Sequence, residues 1–130
     1  MAGRGVVHFE IPAANVKRAK EFYTKAFGWR INNYPGMDYA MVGTTESDQN
    51  GMPKNPGAIN GGMLKRQKPV SVPVITIDVD DIDASLKDIK KLGGSVAGKK
   101  QPVGDMGFAA YFKDTEGNIF GMMQNDPNAK

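Results

Sequence analysis

The chain begins with an alternation. From Val6 to Ile11, Val7, Phe9 and Ile11 fall on one side, and Val6, His8 and Glu10 on the other. That spacing predicts a strand with one apolar and one mixed face. Asn15 is placed to cap a helix. Val16, Ala19, Tyr23 and Ala26 then recur at helical spacing, with Phe22 and Phe27 widening the stripe, and Gly28 ends it. Residues 29–34 and 39–43 read as strands around a turn at Pro35-Gly36. Residues 44–57 are polar and rich in Gly, Pro, Asn and Asp, which predicts an exposed loop. Residues 58–64 form a fourth strand.

The same order then starts again. In residues 74–79, Ile75, Ile77 and Val79 share one face and Val74, Thr76 and Asp78 the other. Asp81 caps a helix whose apolar positions are Ile82, Leu86, Ile89 and Leu92, and Gly93-Gly94 stops it. Residues 95–99, 108–113 and 118–124 read as three further strands, with a tight turn at Asp114-Thr115-Glu116-Gly117.

The halves align. An offset of 66 carries Phe9 onto Ile75, Ile11 onto Ile77 and Asn15 onto Asp81. "MDYAMV" (37–42) matches "MGFAAY" (106–111) at an offset of 69, and "GMLK" from Gly62 matches "GMMQ" from Gly121 at 59. The shrinkage fits a second half without the long loop. The expected fold is therefore α+β, with two βαβββ modules, about 5–66 and 72–125, in a single domain spanning 1–130. A curved mixed sheet would enclose a cavity. Phe9, Ile11, Ile75 and Ile77 would lie beneath the helices, and His8, Glu10, Val74 and Thr76 on the opposite face.

Composition narrows the chemistry. With no cysteine, disulfides, thiolate nucleophiles and Cys-based metal sites are excluded, and with one histidine so are His-rich ones. The net charge is +3 and the pI about 9.1, but the basic pairs Lys65-Arg66, Lys90-Lys91 and Lys99-Lys100 have no aromatic residues interleaved with them. They read as solvated surface, so no nucleic-acid partner is expected. No apolar run approaches spanning length and no leader pattern opens the sequence, so no membrane partner and a cytoplasmic location are expected.

Three stretches carry a resemblance: "HFEIPAANVKRAKEFYTKAFGW", "ITIDVDDIDASLKDIKKLGG" and "YFKDTEGNIFGMMQ". In this order and spacing they resemble the vicinal oxygen chelate superfamily of glyoxalase I, extradiol dioxygenases, bleomycin-resistance proteins and fosfomycin-resistance enzymes. The nearest likeness is to its glyoxalase-related group. The last stretch resembles the family ending Asp-Pro-x-Gly-Asn-x-x-Glu, with Thr115 in place of the proline. In the metal-using members each module gives one ligand from its first strand and one from its last, leaving open positions for substrate oxygens. The resemblance places His8 on the first-strand ligand position and Gly121 on the last-strand position of the second half; the internal alignment makes Val74 and Gly62 their repeat partners. His8 is thus the only retained ligand position. A catalytic ion usually takes about three protein ligands, so no metal cofactor is expected unless Asp38, Asp105 or Glu116 supplies replacements. The resemblance also implies a homodimer.

A pocket remains. Strand alternation gathers Tyr39, Asn60, Gly62, Leu64, Val74, Thr76, Tyr111, Gly121 and Met123 around His8 and Glu10, an apolar lining with a few polar anchors for a small-molecule partner. His8 and Glu10 are the candidate catalytic pair for acid–base work near neutral pH. The leading expectation is metal-free lyase-, isomerase- or hydrolase-type chemistry on a small oxygenated metabolite. A bleomycin-resistance-like binding protein, a metal-dependent glyoxalase- or dioxygenase-like enzyme and an interaction subunit with a closed interior are the alternatives. His8 is either a working base or an inert occupant of a former ligand position, and the sequence leaves both open.

Overall fold

The computed structural model describes residues 3–103 and 106–126. Their contacts divide into two compact units. One is His8–Pro73; the other joins the residues through Val7 to those from Val74 onward.

The first unit holds β1 (Val6–Ala13) from His8 onward, then α1 (Val16–Phe27), β2 (Arg30–Asn33), β3 (Ala40–Gly43) and β4 (Gly61–Lys65). The sheet order is β2-β3-β4-β1. The β1–β4 pair is parallel and the other two are antiparallel. A parallel pair needs a long crossover, and the intervening helix and strands supply it. Asn15 caps α1 by accepting from the Arg18 amide at 3.0 Å. Gly28 takes the left-handed φ of 71° that closes the helix, its N–H bonded to Thr24 O.

Met63 is the centre of this unit's core. It is fully buried, opposite Ile11 on β1 and Ala40 on β3, with Ala13 and Val42 alongside. Val16, Ala19 and Tyr23 pack onto this cluster from α1. The helix stripe is narrower than predicted: Phe22 and Phe27 are 60% and 63% exposed. Trp29 stacks flat on Tyr23, centroids 5.1 Å apart and planes 6° from parallel, and also touches Phe9 and Phe27.

The 44–57 loop is held by its own polar groups. The Asp48 carboxylate accepts from the Asn50 and Met52 amides, and Lys54 pairs with Glu46. The connector that follows β4 includes a cis Lys68–Pro69 bond and buries Val70.

The second unit contains β5 (Val74–Asp78), α2 (Ile82–Lys91), β6 (Ser95–Val96), β7 (Gln101–Val103), β8 (Gly107–Lys113) and β9 (Ile119–Asn125). Its order is β6-β8-β9-β5, with β7 also on β8. The predicted 95–99 strand stops at Val96, and β7 is a strand the pattern did not announce. Pro102 gives β7 no N–H at its centre, which suits a sheet edge. Asp81 caps α2 as expected, and Gln124 adds a second cap by accepting the Ile82 amide at 2.8 Å. Ile82, Val79, Ala110 and Met122 form this unit's core, with Ile77, Leu86 and Ile89 against it. Two expectations fail here. Ile75 is 47% exposed while Val74 and Thr76 are buried, and Leu92, at the end of α2, is 78% exposed.

The strand registers test the internal repeat. Glu10 lies opposite Gly62 and Ile11 opposite Met63; Thr76 lies opposite Gly121 and Ile77 opposite Met122. The offsets of 66 and 59 therefore hold. The offset of 69 does not: Ala40 pairs with Met63 as Ala110 pairs with Met122, which sets it at 70. Tyr111 is the counterpart of Met41 rather than of Val42, and Ala109 stands where Tyr39 does.

Asp114 organises the last turn. Its carboxylate accepts from the Glu116 and Asn118 amides and from the Asn118 side chain. Those bonds stabilise the charged form and hold its pKa below the ordinary carboxylate value. Among the described residues, no helix is long and apolar enough to cross a membrane.

Candidate functional site

Four of the named residues come together in the His8–Pro73 unit. His8 and Glu10 alternate onto the same face of β1. Gly62 pairs directly with Glu10 from β4. Tyr39, just before β3, sends its hydroxyl to within 2.8 Å of His8 Nε2. A Cβ built on Gly62 would overlap that hydroxyl and the ring carbons behind it. The tyrosine thus occupies the volume left by the missing side chain at position 62. The His8 and Tyr39 rings lie 14° from parallel with centroids 6.5 Å apart, an arrangement that extends the tyrosine toward the imidazole.

Burial makes the His8 imidazolium costly and pushes its pKa below the usual histidine value; the Glu10 charge acts in the opposite direction. Glu10 is itself buried, at 8% exposure. A neutral imidazole is therefore favoured near pH 7, with a carboxylate two residues away to stabilise it once protonated. Where Nε2 carries no proton the Tyr39 hydroxyl donates to it; where Nε2 is protonated the ring donates to the hydroxyl oxygen.

Leu64 lies farther along β4 and is buried opposite Pro12. Asn60 has another task. Its Oδ1 accepts the Thr44 amide at 2.9 Å, and its Nδ2 donates to Ser47 Oγ and to Gly51 O. The side chain is committed to the 44–57 loop.

The remaining residues belong to the other unit. Val74 and Thr76 are buried on β5. Thr76 and Tyr111 both pair with Gly121, from its two sides. Thr76 Oγ1 stands 2.8 Å from where a Gly121 Cβ would be. Met123 is half-buried on β9, opposite Asp78 and Ala109. The second unit repeats the register of the first without its chemistry: Val74 and Ala109 stand where His8 and Tyr39 do.

A divalent ion does not fit these residues. Of the four positions that the resemblance assigns to ligands, only His8 offers a donor, and its Nε2 is engaged by Tyr39. The space at Gly62 holds a tyrosine hydroxyl, and the space at Gly121 is approached by a threonine hydroxyl. Among the described residues there is no group of three or more His, Cys, Asp or Glu able to hold a metal. That covers Asp38 and Glu116; Asp105 lies outside the described residues.

Sequence pattern had brought His8 and Tyr39 only into one general lining. Their bond joins residues 31 positions apart. Its one local signal was glycine at position 62, which marks a place where another group comes close.

Comparison with other proteins agrees with this architecture. Residues 6–45 match the family described as bleomycin resistance protein-like N-terminal. A glyoxylase-like domain-containing protein of Didymella fabae is 31% identical, over 84% of each chain. A probable lactoylglutathione lyase of Vibrio cholerae is 28% identical, over 96% of this chain and 94% of that one. Among solved structures, methylmalonyl-CoA epimerase from Mycobacterium tuberculosis superimposes with a TM-score of 0.63 at 16% identity, over 95% of this chain and 89% of that one. With two β-α-β units in matching register and a relative of this identity along most of its length, the chain belongs to the vicinal oxygen chelate superfamily.

Proposed function

We propose that the protein is a metal-independent member of its superfamily that moves a proton on a small oxygenated metabolite. His8 is the proton acceptor, and the Glu10 charge stabilises the imidazolium that forms. With Nε2–H donating to the Tyr39 hydroxyl, the ring is fixed and Nδ1 is the atom that takes the proton. The observation that carries this reading is the His8–Tyr39 hydrogen bond built over Gly62, beside a buried carboxylate. A buried neutral imidazole is a competent base near neutral pH, and burial strengthens its interaction with the carboxylate.

The relatives' names support acyl thioesters as first probes. The experiment incubates the untagged protein with lactoylglutathione or methylmalonyl-CoA in D2O containing EDTA, and follows loss of the proton on the carbon next to the carbonyl by NMR. Exchange should exceed the buffer rate, fall at least a hundredfold in His8→Gln, and decline as pH drops through the histidine range. Exchange at the buffer rate with every oxygenated probe, or exchange that appears only after a divalent ion is added, would refute the proposal.

A further inference from the structure

In the metal-using members a module contributes its first- and last-strand side chains together. Here the first-strand position keeps its histidine and the last-strand position has no side chain. Position 62 is glycine, and the volume thus freed holds the end of Tyr39. The same hydroxyl closes on His8 Nε2 at 2.8 Å. A side chain at 62 and the present placement of Tyr39 are mutually exclusive, because even a single added carbon overlaps the hydroxyl. A phenol ring is rigid, so relief requires the whole ring to swing away, and the bond to His8 goes with it.

We propose that Tyr39 is a metal-excluding lock: its hydroxyl holds the one remaining ligand atom of the site and fills the place of the second, and Gly62 is the residue that permits it. Loss of metal is then a built feature with its own hydrogen bond. The lock also makes Tyr39 a positioning residue for His8, since it fixes the imidazole through Nε2. In the second unit Thr76 Oγ1 approaches the equivalent space at Gly121 from the neighbouring strand, with no histidine to hold. The proposal is independent of whether His8 performs catalysis.

In the wild type the sole histidine gives a single set of imidazole signals in heteronuclear NMR of the full chain, and the second set in the Gly62→His variants is told apart by comparison with it. Paramagnetic Ni2+ is added to untagged wild type, Gly62→His, and the Tyr39→Ala/Gly62→His pair. The wild-type signal should persist at an equimolar ion. Gly62→His, whose side chain displaces the hydroxyl, and the Tyr39→Ala/Gly62→His pair should both bind Ni2+ at least tenfold more tightly than wild type and with equal affinity, because His8 is released in each. A further tenfold gain on removing Tyr39 from Gly62→His would show that a side chain at 62 does not open the lock and would overturn it, as would wild-type broadening at the ion concentration that broadens the double variant. A second measurement needs no metal. The His8 Nε2 nitrogen shift should change in Gly62→Ala as it does in Tyr39→Phe, since both remove the same hydrogen bond. If Gly62→Ala does not fold, Tyr39→Phe alone decides: an unchanged nitrogen shift would show that the hydroxyl does not hold the ring.

Discussion

Truncating Met63 to alanine tests the packing on which the site's strand depends. Met63 is fully buried on β4, one residue from Gly62, with Ile11 and Ala40 as its cross-strand partners and Ala13 and Val42 in contact. Those partners sit on strands paired on either side, so the cavity cannot collapse without breaking ladder hydrogen bonds. Loss of a buried methionine side chain costs about 2–5 kcal/mol. Met63 sits where collapse is hindered, so about 3 kcal/mol or more is expected. Urea slopes for small domains are about 1–3 kcal/mol/M, which puts the fall in midpoint at roughly 1–3 M. The assay is urea unfolding followed by far-UV circular dichroism. Met122, the register counterpart at 2% exposure, should behave alike when truncated; Met52, 61% exposed in the loop, should change stability by less than about 0.5 kcal/mol. A loss below about 1 kcal/mol for Met63→Ala, with an unchanged slope, would refute this account of the core.

Asn60→Ala removes four bonds to the 44–57 loop, and about 2 kcal/mol of local stability should go with them. The Thr44 amide should then exchange roughly thirtyfold faster by hydrogen–deuterium NMR. Gly107→Ala drives its new carbon into the Gln124 carbonyl, a main-chain atom that cannot step aside. A loss of about 1–3 kcal/mol in the same urea assay is expected. Asp114 has a lowered native pKa, so its contribution is present above the unfolded value near 3.8 and is lost as pH falls through the native one. Asp114→Asn should flatten that acid limb in unfolding measured between pH 6 and 2. His8 also has a lowered native pKa, so the unfolded chain takes up its proton first and stability declines as pH falls below about 6.5. His8→Gln should abolish that decline between pH 7 and 5, and an identical slope in both proteins would count against the burial of the ring.

Much of the fold is legible in the chain because it is written in local rules. Asn15, Gly28 and Asp81 mark helix ends by side-chain capping and left-handed backbone, which neighbouring residues alone can specify. The repeat offsets of 66 and 59 hold because strand pairing preserves them. The offset of 69 failed because matching letters, a methionine at each start, do not set hydrogen-bond register. Ile75 misled because alternation gives the two faces of a strand without saying which is covered. The β7 strand was hidden by Pro102, a residue usually read as a break. The site was half legible. Alternation put His8 and Glu10 on one face, and the glycines at 62 and 121 showed that side chains were missing. That Tyr39 fills one of these spaces depends on a turn geometry between β2 and β3 that no periodicity encodes. Asn60 obeyed the alternation but found better partners in the loop, as a polar side chain near unsatisfied main-chain groups will.

The flat stack of Trp29 on Tyr23 has an optical consequence. The chain has one tryptophan, and the stack places it wholly within the His8–Pro73 unit. Indole emission therefore follows the melting of that unit alone, while backbone dichroism sums over both. Coincident midpoints from the two signals would mean that the halves melt as one cooperative body; separate midpoints would assign the emission transition to the half that carries His8.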